Sequence, residues 1–234
     1  MSLLISVSLK HFIVVVSDGL KVRVENGALV KADENSRKYW TVGNGDIAMG
    51  STGFALTANL LQACTISLAE KHLGDPELFS ILEKAVPDEL QRLNKLKLSP
   101  IEYINDEGEK LNLGGTNLLM VGYDHSQQRL RSIYWGWRGE GTDLTPRDCA
   151  DEILAIGCGK AVDFVKEKLD VTDGLGGPSP WDVVEATKSA IQQAAEAFPN
   201  AVGGTIYSHL ISCPQLKGIY EDMKNDRREA LAAN

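Results

Sequence analysis

Two strand-like runs open this sequence and predict a β-hairpin at its start. The first run spans Leu3–Leu9, and the second spans residues 12–16 and is followed by Ser17 and Asp18. Alternation with a period of two is typical of a strand, and two adjacent runs of this kind pair most simply as an antiparallel hairpin. The hairpin would return the carboxylate of Asp18 toward Ser2, where the first strand begins.

Ser2 lies where a hydroxyl can be given a base of its own. If Met1 is removed, the α-amine and the hydroxyl belong to the same residue. A terminal amine with an ordinary pKa of roughly 7.7 to 8 is partly neutral near pH 7, so it can take the proton of an attacking hydroxyl. The alternative interpretation is that Ser2 is an ordinary start residue, since small residues commonly follow Met.

Length and charge limit the class of protein without choosing a function. The 234 residues fit one large domain, 1–234, and the net charge of −8 argues against a nucleic-acid or anionic-membrane partner. No apolar run approaches the ~18 residues that cross a bilayer, and the start of the chain lacks the basic residues of a signal peptide. We therefore expect a cytoplasmic protein.

Cysteine and histidine spacing predicts neither a metal site nor a disulfide framework. The cysteines are widely separated, without a Cys-x-x-Cys pair, and the histidines show no ligand spacing. Reduced thiols in a cytosol are the simpler explanation, and we expect no cofactor. The residues concerned are Cys64, Cys149, Cys158, Cys213, His11, His72, His125 and His209.

Helical periodicity appears in two pairs of segments. The first pair covers residues 56–68 and 75–90, where Asp75 is predicted to cap the second helix and Pro76 to occupy its first position. The second pair covers residues 161–169 and 180–198. A further amphipathic segment, within residues 215–234, predicts a C-terminal helical tail.

The order of the predicted elements determines the fold class. After the first hairpin, strands are predicted at residues 20–24, 28–30, 38–42, 46–49, 117–123, 130–135, 153–156 and 203–211. The helices occur as consecutive pairs, so they cannot all be crossovers of a parallel array. We therefore predict an α+β fold, a four-layer αββα sandwich of two mostly antiparallel sheets with helix pairs on the outer faces.

Five short stretches carry a resemblance to a known family. They are residues 14–18, 36–40, 48–53, 118–124 and 155–159. In order and spacing they resemble a proteasome β-type subunit, or its relative the bacterial ATP-dependent protease core subunit, within the N-terminal nucleophile hydrolases. The resemblance covers roughly residues 2–210 in element order.

The resemblance implies an active site near the start of the chain. Ser2 would be the nucleophile, in place of the family's usual threonine, and Asp18 would be the active-site aspartate. Lys38 would be the catalytic lysine, with Arg37 as the alternative, because the register is uncertain by one residue. On local grounds alone, Asp18 is a normal turn residue and Lys38 a charged residue that protects a strand edge.

Further positions follow from the same resemblance. Gly50 and Ser51 match the small-residue segment whose N–H would bind an oxyanion. Cys158 stands where the family commonly has a serine near the terminal amine, although a small buried thiol in a tight turn explains this cysteine better. The family's aspartate and serine of the closing segment are missing from residues 199–204. Residues 92–113 resemble an insertion that covers the cleft or forms a subunit contact.

Three functions remain open at this point. The first is a peptidase that acts on peptide or protein substrates, in which Ser2 attacks the carbonyl and forms an acyl-enzyme. The second is a catalytically silent subunit with an assembly or binding role, and the third is an amidohydrolase acting on small amides. The resemblance implies a homo-oligomeric ring and a possible ATPase partner.

Overall fold

A computed structural model describes residues 2–26, 28–53, 55–94, 102–104, 110–112, 115–137, 143–149, 152–170 and 179–221. The strands are β1 Leu3–Leu9, β2 Phe12–Ser17, β3 Lys21–Glu25, β4 Ala28–Asp33, β5 Tyr39–Val42, β6 Ile47–Gly53, β7 Glu102–Ile104, β8 Lys110–Asn112, β9 Thr116–Asp124, β10 Arg129–Trp137, β11 Arg147–Asp148, β12 Ile153–Gly157 and β13 Tyr207–Ser212. The helices are α1 Ala55–Lys71, α2 Leu78–Asn94, α3 Gly159–Asp170 and α4 Pro180–Ala197. Residues 214–221 are also helical.

The strands form two larger antiparallel sheets, so the predicted mixture of helices with antiparallel sheets is confirmed. The four-stranded sheet has the order β12-β1-β2-β13, and the five-stranded sheet has the order β11-β10-β9-β6-β5. The predicted hairpin is β1–β2, in which Leu4 lies opposite Ser17. Two further pairs, β3–β4 and β7–β8, form two-stranded sheets.

Each helix pair packs on a different sheet. On α2, Leu82, Val86 and Leu90 are buried in one cluster with residues of the five-stranded sheet. Helices α3 and α4 contribute to a second cluster with the alternate residues of β1 and β2. A third cluster joins the two sheets, with Leu4 beside Val121 as an example. The first hairpin is therefore buried on both faces, which explains its almost continuous apolar composition.

A buried ion pair fixes α2 to the turn between β9 and β10. The Arg131 guanidinium donates to the two carboxylate oxygens of Glu83 at 2.7 and 3.1 Å, and it lies 3.3 Å from Oδ2 of Asp124. The other carboxylate oxygen of Asp124 accepts the N–H groups of Ser126 and Gln127 at 3.0 and 3.1 Å. This network satisfies a carboxylate that is fully buried.

Two predicted boundaries are wrong. Helix α2 begins at Leu78, because the Asp75 carboxylate accepts the Glu77 N–H at 2.9 Å and forms a local turn before the helix. The last strand begins at Tyr207, because Gly203 and Gly204 have φ values of 156° and 73°, which interrupt an extended strand.

Parts of the predicted organisation lie outside the described residues. The expected tail at 215–234 is described only up to residue 221, where it is helical. Within 92–113, the structure describes the end of α2 and the strands β7 and β8. Among the helices that are described, none has the length and apolar character that a membrane span requires.

Candidate functional site

Ser2 lies at the start of β1, and 7% of its surface is exposed. Its carbonyl oxygen accepts the N–H of Cys158 at 3.1 Å, which holds the beginning of the chain against the end of β12. Gly157 makes this approach possible. Its φ is +139°, and a Cβ at this position would come within 1.9 Å of the Ser2 carbonyl oxygen. Only glycine fits between Ser2 and Cys158.

Asp18 follows β2 directly and is fully buried behind Ser2. Its Oδ1 accepts the Leu3 N–H at 2.9 Å, and its own N–H donates to the Leu3 carbonyl at 3.1 Å. Its Oδ2 accepts the Gly203 N–H at 3.2 Å. Burial raises the pKa of Asp18 to about 6, although these N–H donors and the charge of Lys38 partly oppose the rise. The carboxylate thus fixes the residue next to Ser2.

Lys38 lies on the chain that leads into β5 and interacts electrostatically with Asp18. Burial lowers the pKa of the Lys38 ammonium, and the nearby charge of Asp18 opposes that change. The Lys38 N–H donates to Oγ of Ser17 at 3.4 Å, which ties this chain to the end of β2. Arg37 instead stacks over the ring of Tyr39 at 5.0 Å. The structure therefore brings Lys38, and not Arg37, beside Asp18.

A small cavity connects these residues. Its volume is about 110 Å³, and its lining includes Ser2, Lys38, Ser51 and Gly53. Asp18 is fully buried and does not line this cavity. Ser2, Lys38 and the end of β6 thus border one space.

Backbone geometry does not fit the predicted role of Ser51 as an oxyanion donor. The Ser51 N–H donates to the Lys38 carbonyl at 2.9 Å, so it is already engaged. Gly50 is paired on both sides, opposite Tyr39 and Leu119. Gly53 is two residues beyond Ser51, and N–H groups two residues apart along a strand point to the same edge. Gly53 itself lines the cavity, and its φ of +113° departs from an extended strand.

The closing segment supplies a contact that the sequence did not reveal. Residues 199–204 lack the aspartate and serine expected from the resemblance, yet the backbone of Gly203 reaches Asp18. A backbone N–H carries no residue-type signal. Gly203 and Gly204 both have a positive φ. In the sequence, the only sign of this backbone conformation is that the two glycines are adjacent.

Cys158 contacts the site through its backbone. Its N–H binds the Ser2 carbonyl, while its side chain is partly buried among apolar residues that pack against α3 and α4. Within the described parts of the chain, no three His, Cys, Asp or Glu side chains come close enough to hold a metal ion.

A larger cavity lies elsewhere and contains none of the predicted site residues. It has a volume of about 620 Å³ and is bounded by β13, the start of α4 and residues 44–46. His209, one of its lining residues, approaches the Gly45 carbonyl with Nε2 at 2.9 Å. The smaller cavity, and not this one, is lined by the predicted site residues Ser2 and Lys38.

No protein-family model matches this chain, and no curated protein sequence matches it either. Arguments about its function therefore depend on the geometry of the site and on the order of its elements.

Proposed function

We propose that this protein is an N-terminal nucleophile hydrolase that cleaves peptide bonds. One observation carries the proposal. Ser2, which directly precedes β1, lines a cavity together with Lys38, while Asp18 anchors the adjacent backbone at Leu3. An N-terminal serine needs this setting, because its nucleophilicity depends on groups held close to the terminus.

The fold supports the same proposal. Helices α1 and α2 pack on the five-stranded sheet, helices α3 and α4 pack on the four-stranded sheet, and a shared cluster lies between the sheets. We propose that these layers form the four-layer αββα sandwich of the N-terminal nucleophile hydrolases, with the proteasome-like protease subunits as the nearest resemblance. The site lies where β1 and β6 face each other, at the edge of the shared core.

In the proposed reaction, removal of Met1 leaves Ser2 with a free α-amine. The Ser2 Oγ attacks the carbonyl carbon of the substrate, and the amine takes the hydroxyl proton. A positive charge from Lys38 nearby favours the neutral form of that amine, because like charges repel. Asp18 stabilises the Lys38 charge and holds Leu3, and through it Ser2, in place.

Gly53 is the proposed donor to the oxyanion, in place of Gly50 and Ser51. It is the last residue of β6 and lines the same cavity as Ser2. As the tetrahedral intermediate collapses, the α-ammonium gives its proton to the leaving amine and an ester forms on Ser2 Oγ. Water then attacks the ester carbonyl and gives its proton to the α-amine. The Ser2 Oγ leaves, regains a proton, and the acid product is released.

Intact-mass measurement before and after a β-lactone probe tests this proposal. The expected result is a native mass that lacks Met1 and a gain of one whole probe mass, because the lactone ring opens onto Ser2 Oγ. An epoxyketone probe adds a second test, since it closes a ring only on a residue that carries both a hydroxyl and a free amine. Peptide mapping should place both adducts on Ser2.

Matched serine variants distinguish the nucleophile from its neighbours. Ser2→Ala should lose both adducts and peptide hydrolysis, whereas Ser36→Ala, in the lining of the same cavity, should keep them. Retained Met1 in purified protein, or an adduct that survives Ser2→Ala, would contradict the proposal. Retained Met1 would favour a silent subunit with an assembly role.

The small cavity also supports a second candidate within the same chemistry. A volume of about 110 Å³ is well below the several hundred cubic ångströms of typical ligand pockets, and a small amide would fit it. Comparing hydrolysis of peptides with hydrolysis of acetylated amino-acid amides separates the peptidase from the amidohydrolase.

The proposal includes assembly into a homo-oligomeric ring in the cytoplasm, served by a possible ATPase partner. Mass measured by light scattering tests the ring directly. A monomer at micromolar concentration that still hydrolyses peptides would remove the ring from the proposal and leave the chemistry intact.

A further inference from the structure

The small cavity beside Ser2 has a strongly one-sided charge. Lys21, Arg37 and Lys38 all line it, and its described lining includes no Asp or Glu side chain. This is unusual for the chain as a whole, because its net charge is −8. Three cations therefore converge on one cavity in an acidic protein.

These cations also lack carboxylate partners at ion-pair distance, although several cations elsewhere have them. Arg23, Arg129 and Arg147 each pair with a carboxylate, at 2.7, 3.8 and 2.9 Å respectively. Among the ion pairs of the described residues, none includes Lys21 or Arg37. Their charge is therefore available to a ligand.

Burial makes that charge more effective. Burial lowers the pKa of Lys38, the charges of Asp18 and Asp33 oppose that change, and repulsion from Lys21 adds to it. A negative group in the cavity would relieve the effects of burial and of Lys21, since it would pair with two ammonium groups that now repel each other. Charge-assisted hydrogen bonds formed away from bulk water are stronger than neutral ones.

The size of the cavity limits the ligand to one short side chain. A volume of about 110 Å³ corresponds to about four water molecules at ~30 Å³ each, which is close to the four or five heavy atoms of an Asp or Glu side chain. The cavity is not easily enlarged, because part of its wall is held in place. Trp40 is buried, and its Nε1 donates to Thr65 Oγ1 at 3.0 Å. Ala55 and Ala58 of α1 form part of the opposite side.

We propose that the hydrolase prefers substrates with an acidic residue, Glu or Asp, on the acyl side of the cleaved bond. This inference rests on the proposed function, because it takes Ser2 as the attacking residue. With the substrate carbonyl at Ser2, the side chain of the residue that supplies that carbonyl enters the neighbouring cavity. Its carboxylate binds Lys21, Arg37 and Lys38.

Fluorogenic peptides that differ at one position provide the first test. In acetyl-Ala-Ala-X-aminocoumarin, the expected order of kcat/KM is X = Glu above Gln by roughly tenfold to a hundredfold, with Lys lowest. Gln is the matched control because it has the shape of Glu without its charge. Equal or faster hydrolysis with Gln, Leu or Lys would overturn the inference while leaving the peptidase in place.

Charge reversal in the protein provides the second test. Lys21→Glu should lower kcat/KM for the Glu peptide at least tenfold and raise that for the Lys peptide, which inverts the order. Lys10→Glu is the control, because it changes the net charge by the same amount. Lys10 lies in the turn after β1 and does not line this cavity, so the preference for Glu over Lys substrates should be unchanged. An order that survives Lys21→Glu and Arg37→Glu together would contradict the role of these cations.

Binding to Ser2→Ala separates this inference from the proposed chemistry. The probes are N-acetyl-glutamic acid N-methylamide and its glutamine counterpart, measured by NMR titration. Tighter binding of the glutamate compound, lost in Lys21→Glu, supports the anion site even if no peptide is cleaved. Failure of both compounds to bind, together with no preference for Glu in hydrolysis, rejects the anion site.

Discussion

Two fully buried aspartates lie at or directly after the ends of strands in this molecule, and the hydrogen-bond partners of their carboxylates differ. Asp124 bonds its own turn at Ser126 and makes a direct contact with Arg131, at 3.3 Å. Asp18 bonds the backbone of Leu3 and Gly203, which come from distant parts of the chain. Its cation, Lys38, acts through electrostatic attraction without a hydrogen bond to it in the structure.

On the proposed function, this difference separates a structural pair from a catalytic one. Arg131 is committed to two carboxylates, and removing it would leave them without their cation. Burial disfavours the charged form of Lys38. Because Lys38 lines the small cavity, its charge acts on any group that enters that cavity. Loosely satisfied ionisable groups of this kind cluster at functional sites. Mutations at the two pairs should therefore affect different properties.

Replacing Lys38 should abolish activity with little change in stability. In Lys38→Met we expect kcat/KM to fall about a thousandfold or more. Residues that act as one catalytic unit are not additive, so removing one of them costs about as much as removing several. The free energy of unfolding should fall by no more than about 1 kcal/mol, since Asp18 retains its backbone donors. Peptide hydrolysis and urea unfolding measure the two quantities. The control, Lys10→Met, removes an exposed lysine and should change neither, and a large loss of stability in Lys38→Met would mean that this lysine is structural.

Replacing Arg131 should have the opposite pattern. Arg131→Met leaves Glu83 and Asp124 buried without their cation, so we expect the free energy of unfolding to fall by about 3–5 kcal/mol. Activity per folded molecule should be unchanged. Arg129→Met is the matched control, because Arg129 is exposed and pairs with Asp148 at 3.8 Å; its stability should change by less than about 0.5 kcal/mol. If Arg131→Met proves as stable as Arg129→Met, the buried network has no such role.

The titration of Asp18 should make stability fall with rising pH. Its folded-state pKa of about 6 is above the ordinary 3.8, so the unfolded chain ionises first as pH increases. The contribution of Asp18 is therefore fully present below about pH 4 and is lost as pH rises to about 6, by roughly 3 kcal/mol at most. Urea unfolding of wild type and Asp18→Asn at pH 4 and pH 7 should show that the advantage of wild type shrinks at the higher pH. An advantage that grows with pH would give the wrong sign and reject the raised pKa.

The parts of the fold with a strong local pattern could be predicted from the sequence. The β1–β2 hairpin, the helix pairs and the start of α4 at Pro180 follow from apolar periodicity and capping. Helix α4 begins as expected because Ser179 accepts the Asp182 N–H at 3.3 Å, with Pro180 in the first position. Helix α2 begins later than predicted, because Asp75 closes a turn instead of capping the helix.

The side chains of the site were easier to predict than its backbone. The sequence predicts Ser2, Asp18 and Lys38 as site residues from residue type and position. In the structure Ser2 and Lys38 line one cavity and Asp18 bonds the backbone of Leu3, while their catalytic roles stay predictions. The N–H groups of Gly53 and Gly203 could not be identified this way, because every residue except proline has one and only the folded chain decides where it points. The engagement of the Ser51 N–H with the Lys38 carbonyl could not be predicted for the same reason, since this bond depends on pairing between strands.

The contact between Gly203 and Asp18 spans 185 residues of sequence. A chain emerging from the ribosome would have its nucleophile and its lysine made long before the amide that completes the surroundings of the carboxylate. Contacts of such long range form late, because the intervening loop must be closed first. On the proposed function, hydrolytic activity would therefore arise only after the closing segment has been made and has folded against Asp18.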